Sequence, residues 1–195
     1  GFSLGEGVMY SSACIDSLNV RLSAFRSEYV TGAGRWAFRC CELALQALLQ
    51  GSYGVGAVLV DAEGRCLAEA GNAVFSDGYH SAAHAEMQVL NQFEADYPDY
   101  ADRSQLHLWV SLEPCPMCHC RILAAGIGQV SYLSEDIDGA MMLHSNRLPA
   151  AWKNLSQLTE INKYDAPEEL RELAADIASA HKIDLRNKLI QHIRP

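Results

Sequence analysis

The chain has 195 residues, the length of one domain with a helix or two appended, and its 49% hydrophobic and 20% charged content is ordinary for a soluble globular protein. No run reaches the roughly 18 apolar residues that a membrane helix needs. Lys+Arg 15 against Asp+Glu 24 gives a net charge of −9, which argues against a broad phosphate-binding face, because nucleic-acid affinity rests on basic neutralisation.

The N-terminus shows no basic segment followed by an apolar core, so no signal peptide is expected. Seven cysteines are an odd number and fit reduced thiols in the cytosol. Cys14, Cys40, Cys41 and Cys66 are expected as packed thiols.

Leu18, Leu22, Phe25 and Tyr29 recur at helical spacing and predict a short helix ending around Thr31-Gly32. A second helix is predicted from Arg35 to Gln50, stopped by Gly51 and Gly54. Val55 to Val60 and Arg65 to Ala70 read as a hairpin around Asp61-Ala62-Glu63-Gly64. Gly71 to Ala83 is a loop that delivers the chain to a helix over His84 to Phe93. Leu106 to Ser111 is a strand, Cys115 to Ala125 a helix closed by Gly126, and Gln129 to Leu133 another strand. Beyond Glu135 the pattern weakens: Pro149, Trp152 and Leu155 suggest an irregular stretch with a short helix, and Leu158 to Ile161 is too short to assign. Pro167 to Ile190 is helical, with Glu168, Glu169 and Glu172 early and Lys182, Arg186 and Lys188 late, as the helix dipole favours. Strand–helix–strand units after a hairpin imply an α/β fold of three layers, α/β/α, with a mixed central sheet.

Two short motifs carry chemistry: His84-Ala85-Glu86 and, one helix and one strand later, Pro114-Cys115-Pro116-Met117-Cys118. Cys115 and Cys118 are three apart at a helix start, so both sulfurs can face one way. One imidazole and two thiolates are one protein ligand short of a closed zinc tetrahedron, which leaves the fourth position to water. Glu86 is then a carboxylate spare for proton transfer. A structural zinc would need a further ligand, for which His80, His119 and Cys120 are the local candidates. Cys120 is turned away on a helix and His119 is poorly placed, so the catalytic reading is preferred.

At these residues the chain resembles the zinc-dependent cytidine and deoxycytidylate deaminase superfamily, whose signature is H-x-E with P-C-x-x-C. The resemblance covers about residues 35–140, flanked by an N-terminal extension (1–34) and a C-terminal helical region (141–195) of one deaminase domain spanning 1–195. It implies a cytidine-deaminase-like fold, Zn2+ held by His84, Cys115 and Cys118, and Glu86 as proton shuttle. Ser111-Leu112-Glu113-Pro114-Cys115 and Asp136-Ile137-Asp138-Gly139-Ala140 are similar to the branch containing guanine deaminase, cytosine deaminase and tRNA adenosine deaminase. The same resemblance implies that Asn72 hydrogen-bonds substrate and that the Ala85 amide contacts it. For Asn72 the competing reading is a turn residue closing the hairpin strand. Relatives commonly carry small residues where this chain has His119-Cys120-Arg121, a departure near the metal helix.

The leading expectation is hydrolytic deamination of a free nucleobase, nucleoside or related aminated heterocycle by a cytoplasmic homodimer or higher homo-oligomer. The alternatives are a base within tRNA or another polynucleotide, with Lys182, Arg186, Lys188 and Arg194 on phosphates, and a non-catalytic zinc-stabilised subunit. Met141, Met142, His144 and Trp152 are expected in the core rather than as a pocket wall. His80 is either at the site's entrance or an ordinary loop residue.

Overall fold

The computed structural model describes residues 12–25, 29, 31–32 and 34–195. Helices α1 (Ser12–Phe25) and α2 (Arg35–Leu49) precede strands β1 (Gly56–Val60) and β2 (Cys66–Gly71). Helix α3 (Ala85–Asp96), strand β3 (His107–Leu112), helix α4 (Pro116–Ala125) and strand β4 (Gln129–Ser134) follow. The chain ends in α5 (Ala150–Ser156), β5 (Glu160–Lys163), α6 (Glu168–Ser179) and α7 (Lys182–Ile193).

The five strands form one sheet in the order β2-β1-β3-β4-β5. Strand β1 is antiparallel to both β2 and β3, whereas β3, β4 and β5 are mutually parallel. The sheet is mixed, as expected. Because β2 and β3 both oppose β1, strands β2 to β5 share a direction, and their carboxyl ends lie along one edge.

Strand β1 is buried at every residue, as an apolar strand covered on both faces must be. Its side chains alternate between two cores. Val58 and Val60 join Trp109 and Leu133 beneath α1, α2 and α6; Ala57 and Leu59 join Leu108, Val110 and Val130 beneath α3 and α4. This is the three-layer α/β/α arrangement. Close approach of α2 to β1 depends on Gly56, since a Cβ there would overlap the Cys40 carbonyl. Cys40 and Cys41 are fully buried, whereas Cys14 and Cys66 are exposed rather than packed.

Three elements depart from the sequence expectation. Helix α1 starts at Ser12, before the periodic leucines, and Tyr29 lies beyond it, stacked on Phe38 with centroids 5.9 Å apart. The strand left unassigned at Leu158 to Ile161 exists at 160–163, where pairing with β4 supplies the order that its own short sequence does not. The helical region expected over Pro167 to Ile190 is broken into two helices. His181 adopts φ 57°, a left-handed conformation uncommon for any residue but glycine, and turns α7 off the axis of α6. Helix α7 buries only Leu185, against Val74 and Phe75 of the loop after β2.

His107 at the start of β3 stacks on Trp109 at 4.4 Å and shares a 2.8 Å hydrogen bond with Ser131. Burial pushes its pKa from 6.5 down to about 4. Between those values the unfolded chain binds a proton that the folded chain does not. The His107 contribution to stability is therefore intact above pH 6.5 and is lost as pH falls towards 4. The melting temperature is expected to fall over this range in the wild type and less steeply in His107→Asn; equal slopes by calorimetry would contradict the assignment.

Among the described residues, no helix is long and apolar enough to cross a membrane.

Candidate active site

Each part of the motif arrives from a different strand end on the shared edge. Asn72 follows β2 directly, and its amide donates to the Val55 carbonyl at 2.8 Å. The loop that it opens is closed at its neck by the Ala73 amide donating to Ala83, which returns the chain beside Asn72 just before His84. His84 is the N-cap of α3 in extended conformation, not its first helical residue. Cys115, after β3, is the N-cap of α4, with Pro116 in the first turn where its missing N–H costs nothing. Two helix N-termini therefore face one another, and their unpaired amides and dipoles favour sulfur as thiolate.

The ligand atoms of His84, Cys115 and Cys118 all lie within 4.8 Å of one another. His84 Nδ1 is 3.5 Å from Cys115 Sγ and 3.6 Å from Cys118 Sγ. A tetrahedral zinc with ordinary Zn–S and Zn–N bonds requires N···S separations of about 3.6 Å, so these three side chains fit the ion. No other such cluster occurs among the described residues. His80, His119 and Cys120 do not join it: His80 Nε2 is hydrogen-bonded to the Asp77 carbonyl, His119 is buried within α4, and Cys120 is half-buried.

The electrostatics are those of a coupled set. Cys115 is pushed down to about 4, chiefly by the hydrogen bond from the Cys118 thiol and then by His84. Cys118 is pushed up by the same hydrogen bond and by burial. His84 is raised by its bond to Cys115. The two sulfurs thus share one proton, which a cation bound to both would displace. Glu86, 4% exposed, lies in the first turn of α3 with Oε2 3.4 Å from Cys118 Sγ. Burial raises its pKa above the usual carboxylate value. A carboxyl group raised in this way is a better proton acceptor than an ordinary carboxylate and can return the proton.

Asn72 is also 4% exposed, and its Oδ1 accepts from the Val74 amide at 3.0 Å. The turn reading of this residue is therefore correct for its oxygen. No acceptor for its Nδ2 is seen among the described residues. Ala85 is fully buried as the first residue of α3, so its amide has no intrahelical acceptor.

Two site features escaped the sequence. Glu113, 7% exposed, accepts from the Asp136 amide at 3.5 Å. Its only sequence signal was its place in the Ser-Leu-Glu-Pro-Cys run. Helix α7 packs on the loop after β2, with His192 stacked on Tyr79 at 5.0 Å and Lys188 4.6 Å above the Phe75 ring. No local pattern signals that contact. The divergent run after Cys118 has a structural account for Arg121, which ties α4 to Asn91 and Glu94 of α3. His119 Nδ1, buried, has no hydrogen-bond partner among the described residues, and nothing in the structure explains it. Met142 to Arg147 form a half-buried to exposed 3-10 turn after β4 rather than core, and His80 is exposed on its loop. A cleft of about 630 Å³ lined by Arg35, Asp61, His107 and Gln129 lies at the opposite edge of the sheet, remote from this chemistry.

Residues 34–134 match the family described as the cytidine and deoxycytidylate deaminase zinc-binding region. The chain belongs to this family, whose chemistry is deamination and whose metal is zinc. Among curated proteins it is similar to the tRNA(Ile)-lysidine synthase of Deinococcus radiodurans, 37% identical over 92 residues. The match covers 46% of this chain and spans only 15% of that protein's length. Among solved structures, a guanine deaminase from Bacillus subtilis is 26% identical, covering 62% of this chain and 80% of that one with a TM-score of 0.52. A structure from work on A-to-I editing by tRNA:A34 deaminases has a TM-score of 0.57 at 24% identity, covering 67% of this chain and 97% of that one. That likeness shows the cytidine-deaminase-like fold.

Proposed function

We propose that this chain is a zinc-dependent hydrolytic deaminase of a free nucleobase, nucleoside or related aminated heterocycle, in which His84, Cys115 and Cys118 hold the metal. The observation that carries the reading is the buried Glu86 carboxyl beside a three-ligand metal set that fits zinc. Zinc bound there supplies Lewis acidity, which makes water nucleophilic near neutral pH. Glu86 accepts a proton as water adds to the amine-bearing ring carbon and gives it to the ring nitrogen, then takes the proton of the new hydroxyl and gives it to the departing amine. The carbon–nitrogen bond then breaks, and ammonia and a ring carbonyl result. The Asn72 Nδ2 donor and the Ala85 amide hold the base edge.

A small substrate is favoured over a polynucleotide by the charges at the site's edge. The two loops framing it carry Asp77, Glu135, Asp136 and Asp138, which repel a phosphate backbone. Of the cations on α7, Lys182 lies 3.8 Å from Asp136 and Lys188 lies over Phe75. The likeness to a tRNA-directed curated protein supports the alternative of a base within tRNA. Salt-sensitive binding of a tRNA stem-loop with inosine formation would establish it. A cytoplasmic homo-oligomer is the setting proposed with this activity.

The zinc-loaded protein is expected to release ammonia from at least one of guanine, cytosine, adenine, their nucleosides and aminated triazines; inactivity on all would overturn the small-substrate reading. Asn72→Asp keeps the oxygen that caps Val74 and removes the donor. It is expected to lower kcat/KM by about 10- to 100-fold, with zinc content unchanged. Wild-type kinetics in this variant would rule Asn72 out as a substrate contact.

A further inference from the structure

We propose that Leu185 of α7 is a positioning residue for substrate binding: it seats Val74, whose backbone amide sets the direction of the Asn72 side chain. The inference rests on the reading of Asn72 as a substrate contact for its consequence, and on packing for its geometry. The Asn72 backbone is fixed by its amide bond to the Val55 carbonyl at 2.8 Å. The side chain is fixed separately, through Oδ1, which accepts from the Val74 amide at 3.0 Å. A planar amide group held by its oxygen presents its NH2 in a set direction. The position of Val74 therefore decides where the Asn72 donor points.

Val74 is 1% exposed, yet it belongs to neither of the two cores that flank the sheet. Its apolar neighbours are those of a small separate cluster, formed with Phe75 and with Leu185, itself 1% exposed. Leu185 is the one buried residue of α7. Lys188 over Phe75 and His192 beside Phe75 and Tyr79 add to the docking of that helix, but His192 is exposed and Lys188 half-exposed. The apolar part of the contact thus falls on one leucine. The loop backbone has anchors of its own: the Phe75 amide donates to the buried Ser52 Oγ at 2.9 Å, and the His80 amide to the Val74 carbonyl at 2.9 Å. Shortening the leucine therefore leaves the loop folded and loosens the packing that holds the Val74 amide. The metal ligand His84 is seated independently, as the N-cap of a helix whose Ala85, Val89, Leu90 and Phe93 lie in the core beneath the sheet. Substrate then binds only those molecules whose Asn72 donor is in place, which raises KM and leaves kcat at saturation unchanged.

The test is made on the zinc-loaded full chain, with a base of the panel that the wild type turns over. With about one molecule in ten competent, Leu185→Ala is expected to raise KM about tenfold with kcat within about twofold, at one zinc per chain. Amide exchange at Val74 and over α7 is expected to quicken by at least about tenfold, while β1, α2 and α6 exchange as in the wild type. Leu185→Met fills nearly the same volume and is expected to restore both KM and exchange. In Asn72→Asp the donor is already gone, so adding Leu185→Ala is expected to change KM by less than about twofold. An unchanged KM in Leu185→Ala, or a full rise in the Asn72→Asp background, would overturn the positioning role. Unchanged exchange at Val74 would overturn the seating itself. Wild-type kinetics in Asn72→Asp alone would remove the substrate contact and with it the consequence proposed for Leu185. A wild type inactive on every base counts against the deaminase reading, and exchange at Val74 then decides the seating alone.

Discussion

Zinc-loaded Glu86→Gln is expected to lose about two to four orders of magnitude in kcat while keeping one zinc per chain. Glutamine has the size of the native side chain and fills the same buried place beside Cys118 Sγ, 3.4 Å from Glu86 Oε2, so the site should keep its shape. It cannot take a proton from water or pass one to a leaving amine. An interaction used only in the transition state lowers kcat and kcat/KM together, which separates this role from substrate binding. Metal analysis beside steady-state ammonia release makes the measurement. Turnover within tenfold of wild type would remove Glu86 from the proton-transfer role. Loss of zinc in parallel would mean that the carboxylate serves the metal instead.

Cys118→Ala is expected to abolish turnover and to weaken zinc binding by at least about 100-fold. Partners one shell out from a metal are already worth 10- to 100-fold, and a ligand is worth more. The side chain is fully buried, so the substitution leaves a small void costing on the order of 1 kcal/mol, and the variant should fold. Retention of stoichiometric zinc after dialysis against a chelator would refute the ligand set. The wild type adds a pH signature. Cys118 holds its proton in the shared pair while Cys115 titrates at about 4, so zinc uptake near neutral pH must displace a proton from Cys118. Proton release on zinc addition and an affinity that rises with pH should both be seen.

The reactive groups were legible because their signals are local. Cys115 and Cys118 share a face through i,i+3 spacing, and Pro116 marks the helix start that seats them. His84 and Glu86 sit two residues apart across another helix start. The hairpin, α2 and the crossover through α4 follow from hydrophobic periods that each element carries within itself. Strand β5 was not legible, since Glu-Ile-Asn-Lys has one apolar residue in four and becomes a strand by pairing with β4. The break between α6 and α7 was hidden for a similar reason. Residues around His181 suit a helix, and the left-handed turn is accompanied by the docking of Leu185 and His192 on Phe75 and Tyr79.

By itself, then, the sequence determined the reagents, one imidazole, two thiolates and a spare carboxylate, within a chain of net charge −9. Periods of two and three to four residues decide which side chains share a face, and that information is complete within a few turns of chain. Only the tertiary structure decided that His84 and Cys115, 31 positions apart, stand 3.5 Å from one another. Strand order and direction did this, bringing the carboxyl ends of β2, β3 and β4 to one edge. The same arrangement set Glu113 against the Asp136 amide and returned the chain past Asn72 to His84. Those contacts join residues from separate strand ends, so their energies depend on sheet topology rather than on spacing along the chain.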